Sequence, residues 1–180
     1  VLAPSDVTAD SLTELTDGRV PIQSHPNGVD IRHFRPVDTT DFERRYDIPV
    51  DRAIIGYTGR HGFEKNLDAV LEAAAELDVL VLFGGDGPAR DHLEQRAADL
   101  GVDARFLGFL DRSDLPAFYS TLDVFVFPSP VETEGLVALE ANACGTPVVG
   151  VDRGALSETI HPDETGYHFE PGDIDGFRSH

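Results

Sequence analysis

Short uninterrupted apolar runs recur along the chain at intervals of about 20 to 25 residues, each separated from the next by an amphipathic stretch. Residues 53–58, 78–83, 104–107, 123–127, 147–151 and 166–169 read as strands. Residues 66–77, 88–100, 113–120, 136–143 and 155–160 read as helices. In the first of these helices Leu67, Val70, Leu71, Ala74 and Leu77 share one face. Gly101 is the expected C-cap of the second, and Ser113 or Asp114 the N-cap of the third. Strands that are apolar along their whole length, instead of at alternate positions, have both faces covered. The pattern therefore predicts an α/β domain, a Rossmann-like doubly wound parallel sheet with helices on both sides. The first 50 residues differ: 20–24 read as a further strand, 26–30 as a turn, and 34–36 as a connector.

Charge narrows the function classes. The net charge is −19, from 33 acidic and 14 basic residues spread along the chain. Such a surface repels nucleic acid and anionic membrane. Of the basic residues thirteen are Arg and one, Lys65, is Lys. Diffuse acidity with lysine nearly eliminated suits a salt-rich cytosol, where screening relieves self-repulsion, and points to a halophilic source. A single cysteine, Cys144, leaves no internal disulfide and reads as a small packed residue in a reducing compartment. The seven histidines show no metal-binding spacing, and His61 is expected to face solvent. No apolar run is long enough to span a bilayer, and the N-terminus lacks a signal-peptide pattern. A cytoplasmic location is expected. With no initiator Met, and a new helix starting at the C-terminus, the chain reads as a piece of something longer.

An open parallel sheet binds ligands beyond the carboxyl ends of its strands, so the loops there matter most. After the first strand comes Gly59-Arg60-His61-Gly62-Phe63-Glu64-Lys65-Asn66. Glycines permit close backbone approach, a helix N-terminus follows, Arg60 can fork two phosphate oxygens and Lys65 adds a point charge. A chain that has discarded every other lysine keeps one at the mouth of the sheet, which favours a phosphate site over a solvated loop. Gly84-Gly85-Asp86-Gly87-Pro88 reads as a tight turn, because Arg90 stands where a dinucleotide fingerprint needs its third glycine. After the fourth strand Glu132 lies in the loop and Glu140 one turn into the next helix. Flanked by Leu139 and Ala141, Glu140 needs a partner for its carboxylate. Paired ribose hydroxyls and a neighbouring Arg serve equally on this ground.

Together these segments resemble glycosyltransferase family 4, the group 1 glycosyl transferases. The resemblance is carried by Pro128-Ser129-Pro130-Val131-Glu132-Thr133-Glu134-Gly135-Leu136-Val137-Ala138-Leu139-Glu140-Ala141, with Gly59-Arg60 and Glu64-Lys65-Asn66. Gly85-Asp86-Gly87-Pro88, Phe106-Leu107-Gly108-Phe109 and Ala143-Cys144-Gly145-Thr146-Pro147 add to it, and Pro26-Asn27-Gly28-Val29-Asp30 resembles the family's interdomain linker. The resemblance implies the C-terminal half of a GT-B fold. Residues 1–36 would be the end of an N-terminal domain and its linker, and 37–180 a nucleotide-sugar binding domain cut short at its C-terminus. It implies a retaining hexosyl transfer from a nucleotide-diphosphate sugar, such as a UDP-sugar, to a hydroxyl acceptor, without metal or other cofactor. Arg60 and Lys65 would neutralise the diphosphate and Glu140 would hold the ribose. Glu132 would be catalytic beside the sugar ring. Gly59 and the backbone of Gly135, Leu136 and Val137 would touch the sugar or diphosphate, and Leu110 the base. Acceptor recognition, and any association with the inner face of the membrane, would belong to the absent N-terminal domain. The isolated fragment is expected to bind donor without turnover.

One departure is Glu134, where many relatives carry an aromatic; it is open to a solvent-facing role or to tuning donor choice. Rival readings are a sugar-nucleotide epimerase of the same architecture and a non-catalytic module that binds sugar nucleotides. A dinucleotide-dependent oxidoreductase is disfavoured by the failed glycine fingerprint.

Overall fold

In the computed structural model, residues 1–49 and 51–179 are described. Two short strands come first, β1 (Leu2–Ala3) and β2 (Gln23–Ser24), paired in parallel and joined through helix α1 (Asp6–Leu15). Ser5 caps α1: its side chain accepts from the Thr8 N–H. Helix α2 (Thr40–Tyr46) then leads into the main body. There β3 (Ala53–Thr58), α3 (Asp68–Ala74), β4 (Val79–Gly84), α4 (Arg90–Leu100) and β5 (Ala104–Gly108) follow in turn. After them come α5 (Leu115–Thr121), β6 (Val124–Phe127), α6 (Leu136–Ala143), β7 (Val148–Val151), α7 (Leu156–Thr159), β8 (Gly166–Phe169) and α8 (Ile174–Ser179).

The six strands from β3 onward form one parallel sheet in the order β5-β4-β3-β6-β7-β8. This is the doubly wound arrangement that the apolar runs predict. The winding reverses between β3 and β6, where Ile55 pairs with Val124 and Gly56 with Phe125. Such a reversal leaves a crevice at the strands' carboxyl ends. α3 packs on α4 and α8, and α5 on α2 and α6. Right-handed crossovers place the two groups on opposite faces of the sheet.

The core accounts for the uninterrupted apolar strands. Leu80, Val81, Leu82 and Phe83 are all fully buried, so β4 is covered on both faces. Each such side chain contributes about 1.5–3 kcal/mol by leaving water. Leu82→Ala would cost about 2–5 kcal/mol, since the packed surroundings cannot fully collapse. Cys144 is buried as expected, and burial pushes its thiol pKa up to about 11, which leaves it unreactive.

Local chemistry moves several boundaries. The helix expected over 66–77 is shortened: a 3₁₀ turn at Phe63–Lys65 ends on Asn66 in the left-handed region, and α3 runs only from Asp68 to Ala74. Gly101 closes α4 with φ +70°, as the C-cap reading requires. Asp114 occupies the N-cap of α5 without a side-chain cap bond. The strand expected over 20–24 shrinks to β2, and α2 was not anticipated because its seven residues bury only Phe42. No helix among the described residues is long and apolar enough to cross a membrane.

Candidate functional site

The loops after β3 and β4 are locked together through backbone. His61 N–H donates to Asp86 O (2.9 Å), and Ala89 N–H to His61 O (2.9 Å). The approach is so close that a Cβ on Gly85, whose φ is +106°, would meet Gly59 O at 2.0 Å. Only glycine fits there. His61 itself is a correction to the solvent-facing expectation. Its ring is fully buried, edge-on to Phe83 and Phe106, with Nε2 3.3 Å from Gly84 O and no hydrogen-bond partner for Nδ1. Burial depresses its pKa, which favours the neutral ring.

A cavity of about 560 Å³ opens beside these loops. Gly59 and Arg60 line it from the β3 loop, Phe109, Leu110 and Arg112 from the segment after β5, and Tyr119, Val137 and Glu140 from α5 and α6. Phe109 stands 82% exposed at this site, an unusual cost for a large aromatic unless something covers it. Leu110, beside it, is buried. Arg60 reaches back to Glu64, with Nη1 and Oε1 2.5 Å apart, while its guanidinium remains largely exposed. Within the chain, Tyr119 Oη donates to Glu140 Oε2 at 2.8 Å, a partner that sequence reasoning did not name. Burial raises the Glu140 pKa, opposed by the Tyr119 hydrogen bond and by the charges of Arg112 and His33. Buried Phe34 packs edge-on against Tyr119, so the connector expected at 34–36 also supports this carboxylate.

A second cavity, of about 300 Å³, adjoins the first and shares Val137 with it. Glu132, Thr133, Glu134, Gly135 and Leu136 line it, with Pro4 and Asn27 from the N-terminal segment. Gly135 starts α6 with φ +79°, turning the chain so that the helix's first N–H groups face this space. Glu132 Oε1 lies 2.6 Å from Lys65 Nζ, and both side chains are mostly buried. Glu134 is 7% exposed and bonded to Asn27, so the solvent-facing alternative for it is overturned by burial.

The structure thus gathers the residues singled out in the sequence. Gly59, Arg60, Leu110, Val137 and Glu140 line the larger cavity. Glu132, Gly135, Leu136 and Val137 line the smaller, and Lys65 joins them through Glu132. Sequence reasoning missed Tyr119, Arg112 and Phe109 at the site; an exposed aromatic beside the expected base contact was the available signal for Phe109. Among the described residues no group of three His, Cys, Asp or Glu side chains is placed to hold a metal ion.

The sequence profile described as "Glycosyl transferases group 1" matches residues 38–179. D-inositol 3-phosphate glycosyltransferase of Mycobacterium tuberculosis is 37% identical over 150 residues, covering 79% of this chain and 31% of the relative. Sucrose-phosphate synthase of Thermosynechococcus elongatus superposes with a TM-score of 0.89 at 30% identity, over 99% of this chain and 47% of that one. Anabaena HepE, solved in complex with UDP-glucose, superposes with a TM-score of 0.86 at 23% identity, over 99% of this chain and 52% of its own. The chain therefore spans about a third of the curated relative and about half of each solved structure.

Proposed function

We propose that this chain, which belongs to the group 1 glycosyl transferases, is the donor-binding half of a retaining, family 4 enzyme that moves a hexosyl group from a nucleotide-diphosphate sugar to a hydroxyl acceptor. The observation that carries the reading is the pair of cavities at the sheet's switch point that share Val137, one lined by a carboxylate and an exposed aromatic, the other by an ion-paired carboxylate and a helix N-terminus. That order suits a base, a ribose, a diphosphate and a sugar laid end to end. Phe109 and the Leu110 backbone would meet the base, and the Glu140 carboxylate would accept from the ribose hydroxyls. Gly59 allows the diphosphate to approach the backbone, while Arg60, Lys65 and the first N–H groups of α6 neutralise it. Glu132 and the backbone of Gly135, Leu136 and Val137 would hold the sugar ring. In the transfer the bond from the anomeric carbon to the diphosphate oxygen breaks and a bond to the acceptor oxygen forms. The acceptor's proton leaves with the departing phosphate, whose charge the cations stabilise without a metal ion.

On this reading residues 1–36 belong to the acceptor-side domain and its linker, and acceptor choice and any membrane contact lie outside residues 37–180. A UDP-sugar is the donor to test first, since Anabaena HepE is solved with UDP-glucose. Calorimetric titration of UDP, GDP, ADP and their glucose conjugates in molar KCl is the experiment. Binding of one nucleotide, abolished by Lys65→Ala or Glu140→Ala in folded protein, supports the reading. A folded full-length protein that binds no nucleotide sinks it. One that binds but transfers no sugar is instead a non-catalytic module.

A further inference from the structure

Two residues of the Glu132 loop are tied to chain more than 100 residues away. Thr133 O accepts from Ser5 Oγ (2.8 Å) and from Thr8 Oγ1 (3.1 Å). Glu134 Oε1 accepts from the Asn27 N–H at 2.5 Å, and Oε2 from the Asn27 side-chain amide. From α7, Glu158 also anchors the start of α1, accepting from the N–H groups of Asp6 (3.1 Å) and Val7 (2.8 Å). In a chain carrying 33 acidic residues, Glu134 is unusual in being buried, so it does not serve the solvated surface. A buried carboxylate is costly unless hydrogen bonds satisfy it, and here one asparagine supplies two of them. Thr159 Oγ1 also holds Glu134 O at 2.7 Å, so side chain and backbone are fixed together. Glu134 stands two residues after Glu132 and immediately before the Gly135 turn into α6.

We propose that Glu134 is a positioning residue: clamped bidentately by Asn27, it latches the segment 132–135 to the chain preceding the main body and so sets where Glu132 and the α6 N-terminus stand. The latch is a matter of geometry within this chain. Its consequence for ligand rests on the donor reading above: sugar contacts depend on it, whereas base and ribose contacts, which lie on the segment after β5 and the second turn of α6, do not.

The test uses four variants, with circular dichroism to confirm folding. Glu134→Ala removes both acceptors. Asn27→Asp opposes two carboxylates. Glu134→Gln keeps the tie, because the asparagine amide can turn over to accept from the new amide. Glu134→Gln combined with Asn27→Asp restores a donor facing an acceptor. Amide hydrogen exchange without ligand is read at residues 132–137. Glu134→Ala and Asn27→Asp are expected to exchange at least about tenfold faster there, while Glu134→Gln and the double variant return to the parent rate. Calorimetry with UDP-glucose and with UDP forms the second arm. The two broken variants are expected to lose about tenfold in affinity for UDP-glucose while UDP changes by less than about twofold. Unchanged exchange in Glu134→Ala, or failure of the double variant to recover, overturns the latch. Equal loss for both ligands overturns the positioning role and leaves a structural one. If the parent binds neither ligand, the donor reading fails while the exchange arm still decides the latch.

Discussion

Lys65 Nζ lies 2.6 Å from Glu132 Oε1, so the one lysine of the chain bridges the loops that follow β3 and β6 across the sheet's switch point. On the proposed donor reading, a diphosphate bound between those loops would compete with Glu132 for the same ammonium. Glu132→Gln weakens that competitor and is expected to tighten UDP binding about threefold or more while abolishing sugar transfer by the full-length protein. Lys65→Ala is expected to weaken UDP by at least about thirtyfold, since a mostly buried charge loses its counter-ion, and to lower stability by about 1–3 kcal/mol through the unpaired Glu132. Calorimetry and thermal melts of both variants check this. Weaker UDP binding by Glu132→Gln would show that Lys65 needs its carboxylate in order to meet the phosphate.

Proton linkage at Glu140 follows from its burial. Its pKa is raised above the ordinary 4.5 by desolvation, despite the Tyr119 hydrogen bond. A raised carboxyl favours the protonated folded state, so its stabilising contribution is complete below the unfolded value and is lost as pH rises through the folded one. On the proposed donor reading, ribose hydroxyls would donate to the ionised form, and nucleotide binding would then release this proton. Below the raised pKa, affinity is expected to fall by up to about tenfold per pH unit. Titrations from about pH 4 to 7, in buffers of differing ionisation heat, would show proton release in the parent and none from this site in Glu140→Gln. Tyr119→Phe, which removes the bond to the ionised carboxylate, moves the inflection to higher pH.

The parts of the site legible in the sequence are those that local chemistry determines. Continuous apolar runs give the buried strands, and Gly59, Gly85 and Gly135 mark backbone that no other residue adopts in that space. Lys65 was conspicuous because lysine is otherwise absent. What escaped were pairings between residues far apart in the chain. Lys65 and Glu132 are separated by 67 positions, and Asn27 and Glu134 by 107. His61 looked like a loop residue because its neighbours are Arg60 and Gly62. The aromatic box that buries it comes from β4 and β5. Local pattern carries no record of such contacts.

On the same donor reading, Phe109 would offer a separate handle on the nucleotide. It is exposed beside the cavity, so Phe109→Ala removes little packing and is expected to leave the melting temperature within about 2 °C. Stacking on a base is worth about 1–3 kcal/mol, so UDP affinity should fall by between about fivefold and about 150-fold. Pyrophosphate, which has no base, should bind the variant as it binds the parent. A loss of the same size for both ligands would place Phe109 away from the base.

The acidic surface carries the last prediction. Two effects of salt oppose each other here. Screening weakens exposed ion pairs such as Arg96 with Glu72 and Arg178 with Glu76. Each of these is worth about 0–1 kcal/mol, so losing them costs little. Screening also relieves the repulsion among the uncompensated negative charges, of which the formal excess is 19. As the Debye length shrinks from about 10 Å at 0.1 M salt to about 3 Å at 1 M, the second effect is the larger, because it acts over every unpaired carboxylate at once. The melting temperature is therefore expected to rise by about 10 °C or more between 0.1 and 2 M KCl. An equal osmolality of a neutral solute is the control, since excluded-volume effects would raise it too. A flat response to KCl would mean that the carboxylates are spaced widely enough to tolerate one another, and that the acidity is not an adaptation to a salt-rich cytosol.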